Sequence, residues 1–128
     1  MAGFTDYLED ALLKHVFTNT SYTSPSTVYA ALYTVAPSDT GGGTEVSTSG
    51  TAYARQAMAF SVSGTGTLAT NSAAVEYPTA TADYGTVVAV GIFDASSSGN
   101  LLAYANLTAN KTVSSGDVFR FNAGDVDI

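Results

Sequence analysis

TVVAVGIFDASSSGNLLAYANL, residues 86–107, decides how this chain folds, because two apolar runs flank one short polar segment. Residues 86–93 are apolar at both parities, which is typical of a strand that is covered on both faces. Residues 101–107 form the second apolar run, and we expect it to return along the first as its antiparallel partner. The stretch therefore predicts a hairpin at the centre of a mainly β fold.

The polar segment between the two runs, DASSSGN at residues 94–100, allows two interpretations, a calcium loop or a turn. With Asp94 as the first ligand, two serines and a glycine stand where a calcium loop needs them. However, Ala105 occupies the position that requires a bidentate glutamate. We favour a turn that Asp94 caps through its side chain, with Gly99 and Asn100 supplying positive φ angles.

Most of the remaining chain shows strand patterns separated by turn residues. The segments concerned are TVYAALYTV (27–35), AMAFSV (57–62), VEYPTA (75–80), TVSSGDVFRF (112–121) and DVDI (125–128). With the hairpin they make about eight short strands, a number typical of an antiparallel β-sandwich resembling a jelly roll. We predict this sandwich over residues 27–128, with the Gly-rich stretch at 36–51 as a long loop.

Residues 1–17, MAGFTDYLEDALLKHVF, predict one amphipathic helix ahead of the sandwich. Thr5 is a suitable N-cap, and acidic residues in the first turn suit the helix dipole. Because acids stand where an export signal needs positive charge, we do not expect an export signal. The apolar face is a candidate assembly interface, and it comprises Phe4, Tyr7, Leu8, Ala11 and Leu12.

Composition limits the function. The 128 residues are enough for a single domain with its own core, residues 1–128, and the absence of cysteine excludes disulfides and thiolate chemistry. The net charge is −7, and four scattered basic residues are too few for a nucleic-acid interface. The longest apolar run, residues 87–93, is far shorter than the roughly 20 residues that span a bilayer. We expect neither nucleic acid nor membrane as a partner.

Candidates for catalysis are few. His15 is the sole histidine, no G-x-S-x-G motif is present, and a capping or surface role for His15 is the better interpretation. Glu76, Asp83 and Asp94 are the acids next to apolar strand ends, and a carboxylate site built from them is the weaker alternative. We predict no catalytic residue, no metal site and no cofactor.

Arg55 is unusual because it heads a strand pattern in a chain with few cations. One interpretation is a structural ion pair or a bidentate contact to a carboxylate or carbonyl. The other is an anchor at a subunit interface, so Arg55 joins the candidate assembly residues. For a sugar-binding surface, Tyr53, Tyr84 and the loop at 37–51 are the places to examine.

Five motifs together resemble a family of small bacteriophage virion proteins that are commonly described as tail-fibre or structural proteins. They are VYAALYT (28–34), YARQ (53–56), PTATA (78–82), GIFDA (91–95) and GNLL (99–102). The similarity extends over essentially the whole chain. It implies a virion component with a β-sandwich body and an N-terminal helix that acts by assembly, and it supplies no catalytic residue.

Two functions follow from this resemblance, and a third is weaker. The first is a capsid cement protein, assembled in the host cytoplasm, that self-associates as a homotrimer and clamps the major capsid protein or another virion protein. Its motivation is a size suited to one compact module without a fibre stalk. The second is a tail-fibre or tail-tip module that binds host surface carbohydrate. The third, an enzyme acting on sugars, rests only on the three acids at strand ends.

Overall fold

The computed structural model describes residues 3–128, which form ten strands and one helix. The strands are β1 (Gly3–Phe4), β2 (Tyr29–Val35), β3 (Thr44–Glu45), β4 (Gln56–Ala57), β5 (Phe60–Val62), β6 (Ala69–Asn71), β7 (Val75–Glu76), β8 (Gly85–Phe93), β9 (Leu101–Val113) and β10 (Arg120–Phe121), and the helix is α1 (Asp6–Phe17).

The strands form one large antiparallel sheet and two small ones. The large sheet has the order β1-β9-β8-β2-β3, with β4 paired to the opposite end of β2 from β3. The pairs β5–β6 and β7–β10 form the small sheets. One face of the large sheet packs on the segments that carry β7 and β10, so the fold is sandwich-like. The predicted fold class, a mainly β antiparallel structure with one helix, is confirmed.

The hairpin of β8 and β9 lies at the centre of the large sheet. Its register places Gly91 opposite Tyr104 and Ile92 opposite Ala103, while β2 pairs with the other edge of β8. Both faces of β8 are buried, in agreement with its apolar residues at both parities. Alternate side chains of β2 and β8 therefore enter a larger core on one face and a smaller cluster of Ala31, Tyr33, Ala89 and Phe93 on the other.

The turn of this hairpin is closed by Asp94. Its carboxylate accepts hydrogen bonds from the Asn100 backbone N–H at 2.7 Å and from the Asn100 side chain at 2.9 Å. One detail of the prediction is wrong, because the positive φ angles belong to Ser98 and Gly99 and not to Asn100. Asn100 instead serves as the donor to Asp94, a role that leaves the left-handed conformation to the two residues before it.

The helix begins later than predicted. It starts at Asp6, and Gly3 and Phe4 form β1, which pairs with β9. Phe4 is therefore a strand residue and not part of a helical face, and residues 1–2 of the predicted helix lie outside the described residues. Thr5 is the N-cap, as predicted, and its hydroxyl accepts from the Leu8 N–H. The Thr5 side chain is buried, and its hydroxyl also donates to the Leu101 carbonyl at 2.6 Å.

Other boundaries also differ from the prediction. Glu45, predicted in a loop, lies in β3, because the Gly-rich stretch turns back sharply onto β2. Gly43 makes the turn possible, since a Cβ at its position would lie 2.6 Å from the Val35 carbonyl oxygen. The last predicted strand, residues 125–128, is not a regular strand. It lies beside β6, with a bridge between Asp127 and Thr70 and backbone hydrogen bonds between Val126 and Asn71 and between Ile128 and Ala69. No helix within residues 3–128 is long and apolar enough to span a bilayer.

Candidate functional site

The helix α1 is fixed to the large sheet at its N-terminal end. Besides the bonds of Thr5, the Asp6 backbone N–H donates to the Asp39 carbonyl at 2.8 Å. The Asp39 carboxylate in turn accepts from the Tyr104 hydroxyl at 2.5 Å, and this hydrogen bond is the main cause of the raised pKa of Tyr104. The helix is thus anchored to β9 by buried or partly buried hydrogen bonds at one end only.

The two sides of α1 differ in exposure. Leu8, Ala11 and Leu12, three of the predicted assembly residues, are half-buried on the side of the helix that contacts β9. The other two predicted residues, Phe4 and Tyr7, are each 44% exposed. The predicted apolar face therefore serves mostly to attach the helix to its own sheet.

The opposite side of α1 carries apolar residues that were not predicted as an interface. Leu13 is 58% exposed, Val16 66% and Phe17 77%. Their spacing of three and four residues places them on one side of the last helical turns. His15 is exposed and accepts a hydrogen bond from the Tyr22 backbone N–H at 3.1 Å, which joins the helix to the segment that follows it.

Arg55 lies at the centre of a polar cluster beside β3 and the end of β8, which we call the Arg55 cluster (Glu45, Tyr53, Arg55 and Phe93). Its guanidinium makes a bidentate ion pair with Glu45, with Nε–Oε2 and Nη2–Oε1 distances of 2.9 and 2.8 Å. The guanidinium carbon lies 3.6 Å above the centre of the Phe93 ring. The Arg55 side chain is only 9% exposed, so this pair is shielded from solvent.

The cluster connects three separate parts of the chain. The Nη1 atom of Arg55 donates to the carbonyls of Ala95 and Ser98 at 3.1 and 2.8 Å, which ties the hairpin turn to Glu45. The Tyr53 hydroxyl donates to Glu45 at 2.7 Å and accepts from the Leu32 backbone N–H at 3.0 Å. Burial, followed by the hydrogen bond to Glu45, raises the pKa of the Tyr53 hydroxyl well above its ordinary value.

The charged state of Arg55 is secured by the same contacts. Burial lowers the pKa of the guanidinium, but its hydrogen bonds and attraction to Glu45 outweigh burial, so the pKa is raised overall. Four of the five guanidinium N–H donors are engaged within the chain. The geometry matches the structural interpretation of Arg55, and an interface role for this residue stays a prediction.

Sequence reasoning found Arg55 but missed its partners Glu45, Tyr53 and Phe93. Glu45 was assigned to a loop, where a carboxylate needs no partner. A useful signal was the charge imbalance, because an arginine in a strand pattern among eleven acids needs a carboxylate nearby. Which carboxylate approaches it depends on the turn at Gly43, and spacing along the chain does not reveal that turn.

The three acids at strand ends have separate partners. Glu76 pairs with the exposed Arg120 at 3.4 Å, Asp83 accepts from the Ser115 backbone N–H at 2.8 Å, and Asp94 closes the hairpin turn. In the part of the chain that the structure describes, no group of three or more histidine, aspartate and glutamate side chains is placed to hold a metal ion. Each of the three carboxylates has a structural partner of its own.

The aromatic residues proposed for sugar binding are buried. Tyr53 and Tyr84 pack edge to face in the core with their ring centres 5.7 Å apart, so neither offers a face to a ligand. A groove of about 580 Å³ runs beside β9, but the two aromatic side chains that line it, Phe119 and Phe121, are also buried. Neither Tyr53 nor Tyr84 is therefore placed to form a stacking platform.

Residues 3–128 match the family model described as Podophage GP4 fiber I protein gp80. The chain belongs to this family. Membership of the podophage fiber I family confirms the resemblance to phage virion proteins and identifies the chain as a structural, fibre-type component of a phage particle. No curated protein matches the chain significantly.

Proposed function

We propose that the chain is a non-enzymatic subunit of a virion fibre. The observation that carries the proposal is the match of residues 3–128 to the podophage fibre family, which covers nearly the whole chain. The subunit would act through contacts with other virion proteins, held in place by a rigid β body. A fibre subunit needs surfaces of fixed shape more than it needs mobile loops.

The polar groups of the molecule support a role without catalysis. Arg55 and Glu45 neutralise one another in a shielded cluster, and the acids at strand ends cap turns or pair with a cation. Catalytic carboxylates need environments that separate their pKa values across a cleft, whereas Glu76 lies exposed beside Arg120. The arrangement favours structural use of these side chains.

Capsid cement, the function that size alone favours, is the alternative that an experiment must separate from the fibre. A fibre subunit and a cement protein have the same fold requirements, but their loss has different consequences. Cement stabilises the shell against the internal pressure of packaged DNA. A fibre subunit contributes to attachment of the phage to its host, and the stability of the shell does not depend on it.

The test is a phage whose gene for this chain carries an early stop codon. We expect DNA-filled particles that withstand heating as well as the parent but lack one set of fibres and adsorb poorly to the host. Expression of the chain in the host should restore both fibres and adsorption. Shells that break at lower temperature while every fibre remains would overturn the proposal in favour of cement.

A further inference from the structure

The side of α1 that faces away from the sheet is built from two different halves. Its exposed residues follow one stripe at spacings of three and four, and we call this stripe the outer face of α1. The outer face comprises Asp6, Glu9, Asp10, Leu13, Val16 and Phe17. The first half is acidic, and the second half is apolar. Within residues 3–128 the chain places no strand or helix over this stripe.

Nothing within residues 3–128 accounts for the apolar half. Acids in the first turn are favoured by the helix dipole, but three large apolar side chains at the free end of a helix gain nothing from solvent. Leu13, Val16 and Phe17 are 58, 66 and 77% exposed. A different side of the helix packs on β9. Clustered exposure of this kind marks a surface that another protein covers.

The charge pattern decides against a second copy of the chain as the occupant. Two outer faces packed in parallel would bring two acidic halves together, and antiparallel packing would bury carboxylates on Leu13 and Phe17. Overlap of the apolar ends alone covers on the order of a few hundred Å², well below the roughly 1,000 Å² of a stable interface. The chain also carries a net charge of −7, which opposes self-association of an acidic surface.

The chain has few cations of its own to match the acidic half. Of the four cations, Arg55 is shielded by Glu45, Arg120 pairs with Glu76, and Lys14 lies on α1 itself, bound to Asp10 at 2.8 Å. The fourth, Lys111, is a single exposed cation on β9. The complement of the outer face is therefore a segment with apolar residues at one end and lysine or arginine at the other. Lys111 has no large exposed apolar residue next to it in the sequence, which favours a different protein as the source of such a segment.

We propose that the outer face of α1 docks a basic, apolar segment of a different virion protein and so attaches the subunit to the particle. This inference rests on the proposed fibre function and adds the site and the chemistry of the partner. Apolar contact supplies most of the affinity, while the acidic half sets the orientation and makes attachment sensitive to salt.

The experiment adds the purified full chain back to particles produced without it and measures occupancy against concentration. V16S/F17S should weaken binding by about tenfold or more, because both side chains lie at the apolar end of the interface. V62S is the matched control, since Val62 is 67% exposed on β5, away from the helix, and it should bind like the parent. Circular dichroism checks that both variants fold.

A second pair of variants tests the charge of the partner. E9Q should weaken binding at low salt and make little difference at high salt, whereas E76Q, whose side chain is exposed on β7, should have no effect at either. Parent-like binding by V16S/F17S and E9Q would overturn the docking surface while leaving the fibre function intact. A change in the oligomeric state of the free chain with V16S/F17S would overturn it too, since the occupant is then a copy. Failure of the parent chain to bind the particles at all would count against the fibre function itself.

Discussion

At the scale of single residues, the Arg55 cluster holds together parts of the chain that are far apart in sequence. The guanidinium binds Glu45 on β3, the carbonyls of the hairpin turn and the face of Phe93 on β8. Only a planar group with several donors can make these contacts together, and a lysine ammonium cannot reproduce the fork or the stacking. The cluster fixes the hairpin turn over one face of the large sheet.

Replacement of Arg55 by lysine tests this description. We expect Arg55→Lys to lower the free energy of unfolding by about 2–4 kcal/mol, because Glu45 loses its bidentate partner in a shielded site. Urea denaturation measures the change. The control is Arg120→Lys, whose ion pair with Glu76 is exposed and which should cost less than about 1 kcal/mol. Equal losses in the free energy of unfolding for the two variants would show that the Arg55–Glu45 pair stabilises the fold no more than an exposed ion pair does.

Gly91 is the second residue whose role is set by contact. A Cβ at this position would lie 2.6 Å from the Tyr33 ring and 2.8 Å from the Leu101 Cδ1 atom, both within a packed cluster. We expect Gly91→Ala to cost about 1–3 kcal/mol in the free energy of unfolding, as overpacked core sites do. Gly64→Ala is the control, since its Cβ meets no atom within 4 Å. An unchanged melting temperature for Gly91→Ala would contradict the packing described here.

At the scale of elements, Thr5 is the residue that joins α1 most directly to the large sheet. The Thr5 hydroxyl caps the helix through the Leu8 N–H and also donates to the Leu101 carbonyl of β9. The same side chain thus ends the strand β1, starts the helix and fixes the helix to the sheet. The rest of the helix is half-buried or exposed, so its attachment is concentrated at this end.

Substitution of Thr5 tests that attachment. We expect Thr5→Ala to cost about 1–2 kcal/mol, because the cap is lost and a buried carbonyl loses its donor. Thr5→Ser keeps the hydroxyl and should recover most of the loss. Urea denaturation gives the free energies, and hydrogen exchange of the amides of α1 shows whether the helix opens separately. Loss of stability by Thr5→Ser equal to that of Thr5→Ala would mean that the methyl group, and not the hydroxyl, is responsible.

The sequence predicted those elements whose patterns are local. The hairpin of β8 and β9 and the cap at Thr5 follow from short stretches of residues, and both are present. The strands β1, β3 and β6 were missed because each has only two or three residues and is defined by its pairing with another strand. The outer face of α1 was missed for a related reason. A helical-wheel projection of the sequence does not show which side of the helix the sheet covers.

At the scale of the whole molecule, three tyrosines make the fold sensitive to high pH. Burial, followed by the charge of Glu45, raises the pKa of Tyr33 to about 12, and burial raises the pKa values of Tyr53 and Tyr77 further. Tyrosines in the unfolded chain ionise near pH 10. The folded state therefore retains protons that the unfolded state releases, and its stability is complete below about pH 10 and falls above it.

Unfolding in urea between pH 8 and pH 11.5 tests this dependence. We expect a constant free energy of unfolding up to about pH 10, then a loss of up to about 1.4 kcal/mol per pH unit for each of the three tyrosines. Tyr33→Phe should make that slope shallower, because one of the tyrosines with a raised pKa is removed. A free energy of unfolding that stays constant to pH 11.5, with ultraviolet absorbance showing that these tyrosines ionise near pH 10 in the folded chain, would contradict the buried positions of their hydroxyls.

The function of the whole molecule was predictable only in part. Composition and the lack of catalytic motifs favoured an assembly protein, and the five motifs resembled phage virion proteins, which the match of residues 3–128 confirms. The position of the chain in the particle depends on which of its surfaces a partner covers. No local pattern reports that surface, because Leu13, Val16 and Phe17 look like core residues until the fold leaves them exposed.

The most direct test of the fibre function is to locate the chain on intact particles by cryo-electron microscopy, with antibody labelling of the same particles. We predict density for the β body within a fibre, with α1 at the contact to a neighbouring virion protein and a copy number that matches the number of fibres. Density repeated across the whole shell, in register with the major capsid protein, would contradict the fibre function.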